Sequence, residues 1–158
     1  MKCPFCEIEE LIVTNSRQTF KGYSTWRRKK CASCLNTFTT YEEVNLNYII
    51  VKKKDSTKKR YSRVKLFSSI LNSCLKLKNV DTGDCAKNAQ EYTNEVEELM
   101  IKNKQKIITT NEIFNLTLGV LTKKDIRIAM NYFSYFYKSK RNEEIKKDFE
   151  NLMSKSSH

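Results

Sequence analysis

The chain has 158 residues, 30 of them Lys or Arg against 18 Asp or Glu, and its formal charge of +12 calls for a polyanionic partner. Its one histidine is His158, the final residue, which excludes His-based acid–base catalysis and any Ser–His or Cys–His nucleophile system. It has no Gly-rich phosphate loop and no apolar run near the roughly 20 residues of a membrane span, so neither an enzyme nor a membrane protein is expected.

The first element is a pair of cysteine motifs, Cys3-Pro-Phe-Cys6 and Cys31-Ala-Ser-Cys34, separated by 24 residues. Two CxxC pairs supply four thiolates, which complete a tetrahedral zinc site with no open position for substrate. The reading is one structural Zn2+ on Cys3, Cys6, Cys31 and Cys34. Paired disulfides and a redox dithiol are the alternatives. The first needs an oxidising compartment. The second usually opens a helix in a βαβ unit, and the N-terminus lacks the apolar stretch of a signal peptide. A cytoplasmic protein is therefore expected. Between the pairs, residues 11–14 and 20–26 are β-prone and flank the turn-prone Asn15-Ser16-Arg17, and residues 37–41 form a third strand-like run. Residues 1–46 thus read as a zinc ribbon of three short antiparallel strands. Arg27, Arg28 and Lys29 stand in the run Trp26-Arg27-Arg28-Lys29-Lys30 directly before the second pair, where metal ligation would hold the backbone rigid. With Arg17 they are the candidates for phosphate and guanine contacts in nucleic acid. Trp26 would stack on a base or sugar, or cap the small core.

Asn45-Leu46-Asn47 reads as a linker into a second domain over residues 47–140. Residues 47–66 hold eight Lys or Arg and one acid, so this short segment carries +7 of the +12. Residues 48–53 and 58–61 predict a hairpin around the turn 54–57, followed by helical periodicity. Ser62 is the expected N-cap of a first helix with Leu66, Ile70, Cys74 and Leu77 on one face. A second helix opens after residues 81–84, with Cys85, Ala89, Tyr92, Val96 and Leu99 on its face. Thr109 and Glu112 form a capping-box pattern for a third. Thr122-x-x-Asp125 is expected to open a fourth, faced by Ile126, Met130, Phe133 and Tyr137. Cys74 and Cys85 are expected as small core residues. Residues 141–158 read as a polar, helix-prone tail. The class is α+β, a small ribbon followed by a mainly helical domain with a β-hairpin and about four helices. Alternation in the hairpin puts Val51 and Lys53 on one face and Lys52 and Lys54 on the other. Lys53 and Lys65 would converge on a nucleotide phosphate, or the lysine-rich hairpin would be a second DNA contact.

At these residues the chain resembles the NrdR family of transcriptional repressors of ribonucleotide reductase genes. The likeness runs from Cys3 to about Lys138. It includes Cys3-Pro-Phe-Cys6, Ser16-Arg17, Arg27-Arg28-Lys29, Cys31, Cys34 and Phe38-Thr39-Thr40-Tyr41-Glu42. In the second domain Val51-x-Lys53-Lys54-Asp55, Tyr61, Arg63, Lys65-Leu66 and Cys74 resemble the opening of an ATP-cone. The resemblance implies a ribbon that binds double-stranded operator boxes of a promoter and a cone that senses ATP and dATP. It also implies a homo-oligomer whose size depends on nucleotide. By motif position, Val51, Lys53, Lys54 and Lys65 would be nucleotide-binding, and Arg17, Arg27, Arg28 and Lys29 DNA-binding. The chain departs from the family pattern at Glu7, Leu35 and Ser56, where glycines are usual, and at Lys59, where a glutamate is usual. The runner-up reading is a zinc-ribbon module for RNA polymerase or RNA with a helical interaction domain.

Overall fold

Strand-forming sequence between two cysteine knuckles builds the first of two units into which the chain divides, Met1–Asn45 and Leu46–His158. The computed structural model describes residues 1–19 and 22–137, so the expected tail at 141–158 lies outside the described residues. In the first unit β1 (Leu11–Thr19), β2 (Ser24–Cys31) and β3 (Thr37–Glu43) form an antiparallel sheet in the order β1-β2-β3. The strands hold six threonines, Ile12, Val13 and three aromatic residues, types that fit a pleated surface.

The expected turn at Asn15-Ser16-Arg17 is not a turn. These residues continue β1, opposite Arg28, Arg27 and Trp26. A bulge between Val13 and Asn15 takes up one extra residue, and Thr14 Oγ1 donates to the Arg28 carbonyl at 3.2 Å. The cross-strand ladder outweighs the local turn preference, and the reversal falls beyond Thr19, where Gly22 has φ +92°. Nearly all of β1 is exposed. A sheet with so little apolar cover needs its knuckles to hold it.

The second unit starts one step earlier than a linker would allow. Leu46 opens a short 3-10 turn, Leu46–Tyr48, and is itself buried, as is Ile49. Then come β4 (Ile50–Lys52), β5 (Lys58–Arg60), α1 (Arg63–Leu75), α2 (Thr82–Lys102), β6 (Ile107–Thr109), α3 (Thr110–Lys124) and α4 (Ile126–Phe136). The hairpin and four helices match the expectation, and β6 is an addition. It lies parallel to β4, opposite β5, and completes the order β5-β4-β6. Three residues are too few to show an alternation, and the β6 partner strand lies two helices back in sequence.

The caps follow simple chemistry. The Asp81 carboxylate accepts from the backbone N–H of Gly83 and Asp84 at 2.7 and 3.1 Å. Thr109 and Glu112 close a capping box, and the Thr109 hydroxyl and backbone N–H hold the Glu112 carboxyl below its usual range. Thr122 does not open α4. Its hydroxyl donates to the Leu118 carbonyl at 2.8 Å inside α3, and Asp125 caps α4 by accepting from Arg127 N–H.

The core lies between the helices and the inner face of the small sheet. Ile70, Cys74, Cys85, Ala89, Val96, Phe114, Leu121 and Ala129 are almost wholly buried. Burying a Phe or Ile of this kind contributes about 1.5–3 kcal/mol. Phe114 stacks on Phe136 with ring centroids 4.0 Å apart and on Tyr132 at 5.6 Å. Cys74 and Cys85 occupy the core as expected, and they are also joined to each other. Their disulfide ties the last turn of α1 to the first turn of α2, with Cα atoms 5.6 Å apart.

Candidate metal centre and nucleic-acid interface

The two knuckles are built alike. In the first, Cys3 N–H donates to the Ile8 carbonyl and Glu7 N–H to the Cys3 carbonyl, both at 2.9 Å. In the second, Cys31 N–H donates to Asn36 at 3.0 Å and Leu35 N–H to Cys31 at 3.1 Å. Each turn reverses through a left-handed residue, Glu7 with φ 62° and Leu35 with φ 60°. These are two of the positions where a glycine is usual in the resembling family. The turn keeps the glycine geometry without the glycine.

The repeated turn aims four sulfurs at one point. Cys3 Sγ lies 3.6 Å from Cys34 Sγ, and Cys6 Sγ lies 3.6 Å from Cys31 Sγ. All four sulfurs fall within 4.8 Å of one another. A tetrahedron with Zn–S bonds of about 2.3 Å has sulfur edges of about 3.8 Å, so the cluster fits the ion. Cys34 is pulled down to about 7, first by the Asn36 backbone N–H. At Cys6 the Ile8 backbone N–H favours the thiolate, but desolvation and the three other sulfurs push it up to about 12. Four sulfurs this close do not all ionise without a cation among them.

The sheet register sorts the four basic candidates onto two faces, because opposed residues on paired strands share a face. One face carries Arg17, Trp26 and Tyr41, then Asn15, Arg28 and Thr39, then Ile12, Lys30 and Thr37. The other carries Ser16, Arg27 and Thr40, then Val13, Lys29 and Phe38. Arg17 and Arg28 are therefore brought together, and Arg27 and Lys29 point the opposite way. The first face is the more open one. Arg28 and Lys30 are exposed, while Arg27 and Lys29 are half-buried. The Arg17 guanidinium lies 6.0 Å from the Trp26 ring centroid, a cation–π contact that stiffens both side chains. Arg27 is already engaged by Glu42, at 3.1 Å. Lys30 belongs to the same basic run but not to the four named candidates, and strand alternation from Arg28 places it on this face.

In the second unit Val51 is half-buried against the core, and Lys53, Lys54 and Lys65 are exposed. Lys53 begins the β4–β5 turn, with its N–H on the Thr57 carbonyl at 2.9 Å. Asp55 fixes this turn by accepting from the Thr57 hydroxyl at 2.6 Å and its N–H at 3.0 Å. Those bonds hold the Asp55 carboxyl below its usual range. Ser56 takes φ 62° at the third missing-glycine position. Lys54 Nζ lies 5.8 Å from the Phe136 ring centroid. Lys65 sits in the first turn of α1, where Ser62 makes no side-chain cap bond and no acid is present. That leaves amide donors and a lysine free for an anion. Behind them, Tyr61 and Arg63 both bind the buried Glu97 of α2. The Tyr61 hydroxyl donates to Glu97 Oε1 at 3.0 Å, and Arg63 grips Oε2 and Asn94. Burial pushes the Tyr61 hydroxyl well above its ordinary pKa. Sequence reading missed this hub, since a Glu within a helical run looks solvent-facing.

A four-cysteine ribbon followed by a small mixed sheet and four helices defines a two-unit ribbon–cone protein. Residues 1–42 match the family described as "Transcriptional repressor NrdR-like, N-terminal domain", and residues 49–141 match the ATP cone domain. The chain belongs to the NrdR family of transcriptional repressors. Among its relatives, the "Transcriptional repressor NrdR" of Kosmotoga olearia is 33% identical over 141 residues, 89% of this chain and 85% of its own length. That of Petrotoga mobilis is 35% identical over 141 residues, covering 89% and 90%. That of Streptococcus suis is 31% identical over 157 residues, covering 99% and 93%. The family consists of regulators rather than enzymes. No described helix is long and apolar enough to cross a membrane.

Proposed function

We propose that this chain is a nucleotide-responsive repressor that binds operator DNA of ribonucleotide reductase genes. Cys3, Cys6, Cys31 and Cys34 would hold one structural Zn2+, which does no chemistry on a substrate and keeps the ribbon sheet rigid. Arg17 and Arg28 would face duplex DNA from the open side of the sheet, with Arg27 and Lys29 serving its other side. Val51, Lys53, Lys54 and Lys65 would bind ATP or dATP. Nucleotide occupancy would set the size of a homo-oligomer, because a ligand shifts assembly when it binds one arrangement more tightly than another. The place of action is the bacterial cytoplasm. The observation that carries the reading is the open face with Arg17, Trp26 and Arg28, built on a sheet clamped by four cysteines.

The test is titration of a labelled reductase-promoter duplex with the full chain, with dATP, with ATP and without nucleotide, alongside intact-assembly mass under each condition. The reading expects affinity and oligomer size to change together with nucleotide. Affinity indifferent to every adenine nucleotide would remove the regulatory half of the proposal. Preference for RNA over the duplex would favour the polymerase- or RNA-binding alternative.

A further inference from the structure

The small sheet of the second unit has two faces with different chemistry. Val51 lies opposite Lys59 and Ile108; Ile108 is buried and Val51 packs on the core, while Lys59, on the edge strand, stays exposed. The flanking sets are Ile50 with Arg60 and Ile107, and Lys52 with Lys58 and Thr109. They share the opposite face. There Lys52, Lys58 and Arg60 are exposed, and so is Ile107 at 53%.

These three cations are unmatched. Elsewhere in the unit Lys102 pairs with Glu98, Lys124 with Glu91 and Glu95, and Arg127 with Asp125. Among the described residues, Lys52, Lys58 and Arg60 make no ion pair and no side-chain hydrogen bond. The nearest acid in sequence, Asp55, is taken by Thr57. Lys52 and Lys58 sit directly opposite each other, an arrangement of like charges that costs stability unless an anion lies over it. Lys58 and Arg60 are two residues apart on one strand, so they stand about 6.8 Å apart. That is twice the rise of about 3.4 Å between successive phosphates of one DNA strand. The six residues of this face include no aromatic ring to stack a base. A flat row of cations without a cradle suits a polymer of phosphates better than one small nucleotide.

We propose that Lys52, Lys58 and Arg60 form a second contact surface for duplex DNA, gripping the phosphate backbone without reading sequence. The proposal rests on the DNA-binding reading above. It gives the outer face of the two hairpin strands to DNA and leaves to nucleotide Val51 on the core side and the turn residues Lys53 and Lys54. Because β4 ends at Lys52, Lys54 does not follow the strand alternation, and its Nζ lies 5.8 Å from the Phe136 ring centroid.

The experiment measures affinity of the full chain for a labelled operator duplex across a potassium chloride series at fixed, saturating dATP. It compares the unaltered protein with Lys58→Gln/Arg60→Gln, with Lys52→Gln/Lys58→Gln and with Arg17→Gln/Arg28→Gln. Each hairpin pair should lower the slope of log affinity against log salt by about two, at about 0.9 per phosphate contact. Affinity for dATP should stay unchanged, and neither hairpin pair should lower the melting temperature; Lys52→Gln/Lys58→Gln should raise it slightly by removing the opposed charges. The two hairpin pairs guard against one of them misfolding. A hairpin slope equal to that of the unaltered protein overturns the proposal, and if Arg17→Gln/Arg28→Gln still lowers it, the DNA reading stands without this face. If no pair changes the slope, the DNA reading itself fails. Lost dATP affinity with an unchanged slope overturns the proposal and gives the face to the nucleotide. A parallel series on a labelled single-stranded RNA, with the hairpin pairs lowering that slope alone, overturns it in favour of RNA.

Discussion

Glu7 and Leu35 hold the same left-handed backbone conformation, φ 62° and 60°, one residue after the second cysteine of each knuckle. Both side chains are exposed, Leu35 at 63%, so neither packs in a way that offsets its backbone cost. An L-residue in this region costs roughly 1–2 kcal/mol that glycine avoids. Glu7→Gly and Leu35→Gly are each expected to stabilise the ribbon by about 1 kcal/mol after glycine's greater unfolded-state entropy is allowed for. Resistance of bound zinc to a competing chelator should rise in both variants. Glu7→Ala, which keeps a Cβ, should show no such gain. A glycine variant that releases zinc more readily would show that strain is not stored at these turns.

The second prediction uses the ion pair between Arg27 and Glu42. Glu42 is an acid beside a surface assigned to DNA, and it holds one of the four candidate cations. Glu42→Gln should free Arg27, strengthen duplex binding and steepen its salt dependence by up to about one unit. Arg28→Gln should weaken binding and flatten the slope by a similar amount. Arg27→Gln should act less than Arg28→Gln, because its charge is partly spent on Glu42. Fluorescence anisotropy in a salt series measures all three. An Arg27→Gln effect larger than that of Arg28→Gln would place the DNA on the other face of the sheet.

What was legible in the sequence was whatever rests on spacing and local chemistry. The cysteine pairs located the metal cluster, the Thr109–Glu112 pattern located a helix start, and the 3.6-residue stripes located four helices. What was hidden depends on partners distant in sequence. Asn15-Ser16-Arg17 favours a turn by itself, yet β2 holds it in a strand. Ile107-Ile108-Thr109 becomes a strand only because β4 lies beside it. The division of Arg27 from Arg28 was implicit in alternation, but their adjacency suggested one basic edge. Glu97 and the Cys74–Cys85 bond are tertiary facts, with no local signal to mark them.

Glu97 is buried and receives Tyr61, from the end of the hairpin, and Arg63, from the first turn of α1. It therefore fixes the segment that carries Lys65. Removing the carboxylate leaves a half-buried guanidinium and a buried hydroxyl without their acceptor. Glu97→Ala is expected to cost about 2–3 kcal/mol in urea unfolding of the second unit. Glu97→Gln should cost less, because it keeps an acceptor for Tyr61. If Lys65 binds nucleotide, both variants should also weaken dATP affinity at temperatures where the fold is intact. Unaltered stability in Glu97→Ala would remove the carboxylate from any structural role.

The six cysteines divide into two kinds, and their chemistry separates them. Cys3, Cys6, Cys31 and Cys34 are thiols gathered for a metal, whereas Cys74 and Cys85 are bonded to each other. Protein isolated without reductant, then denatured with chelator and treated with iodoacetamide, should take up four carbamidomethyl groups; reduction beforehand should raise this to six. Closing a loop of this length, with the cysteines 11 apart in sequence, restricts the unfolded chain by about 3 kcal/mol in the chain-entropy model. Reduction should therefore lower the melting temperature of the second unit and leave zinc content unchanged, since zinc-bound thiolates are already reduced. Uptake of six groups without prior reduction would show that Cys74 and Cys85 pack as thiols. Cys85→Ala would then cost only the loss of a small buried side chain.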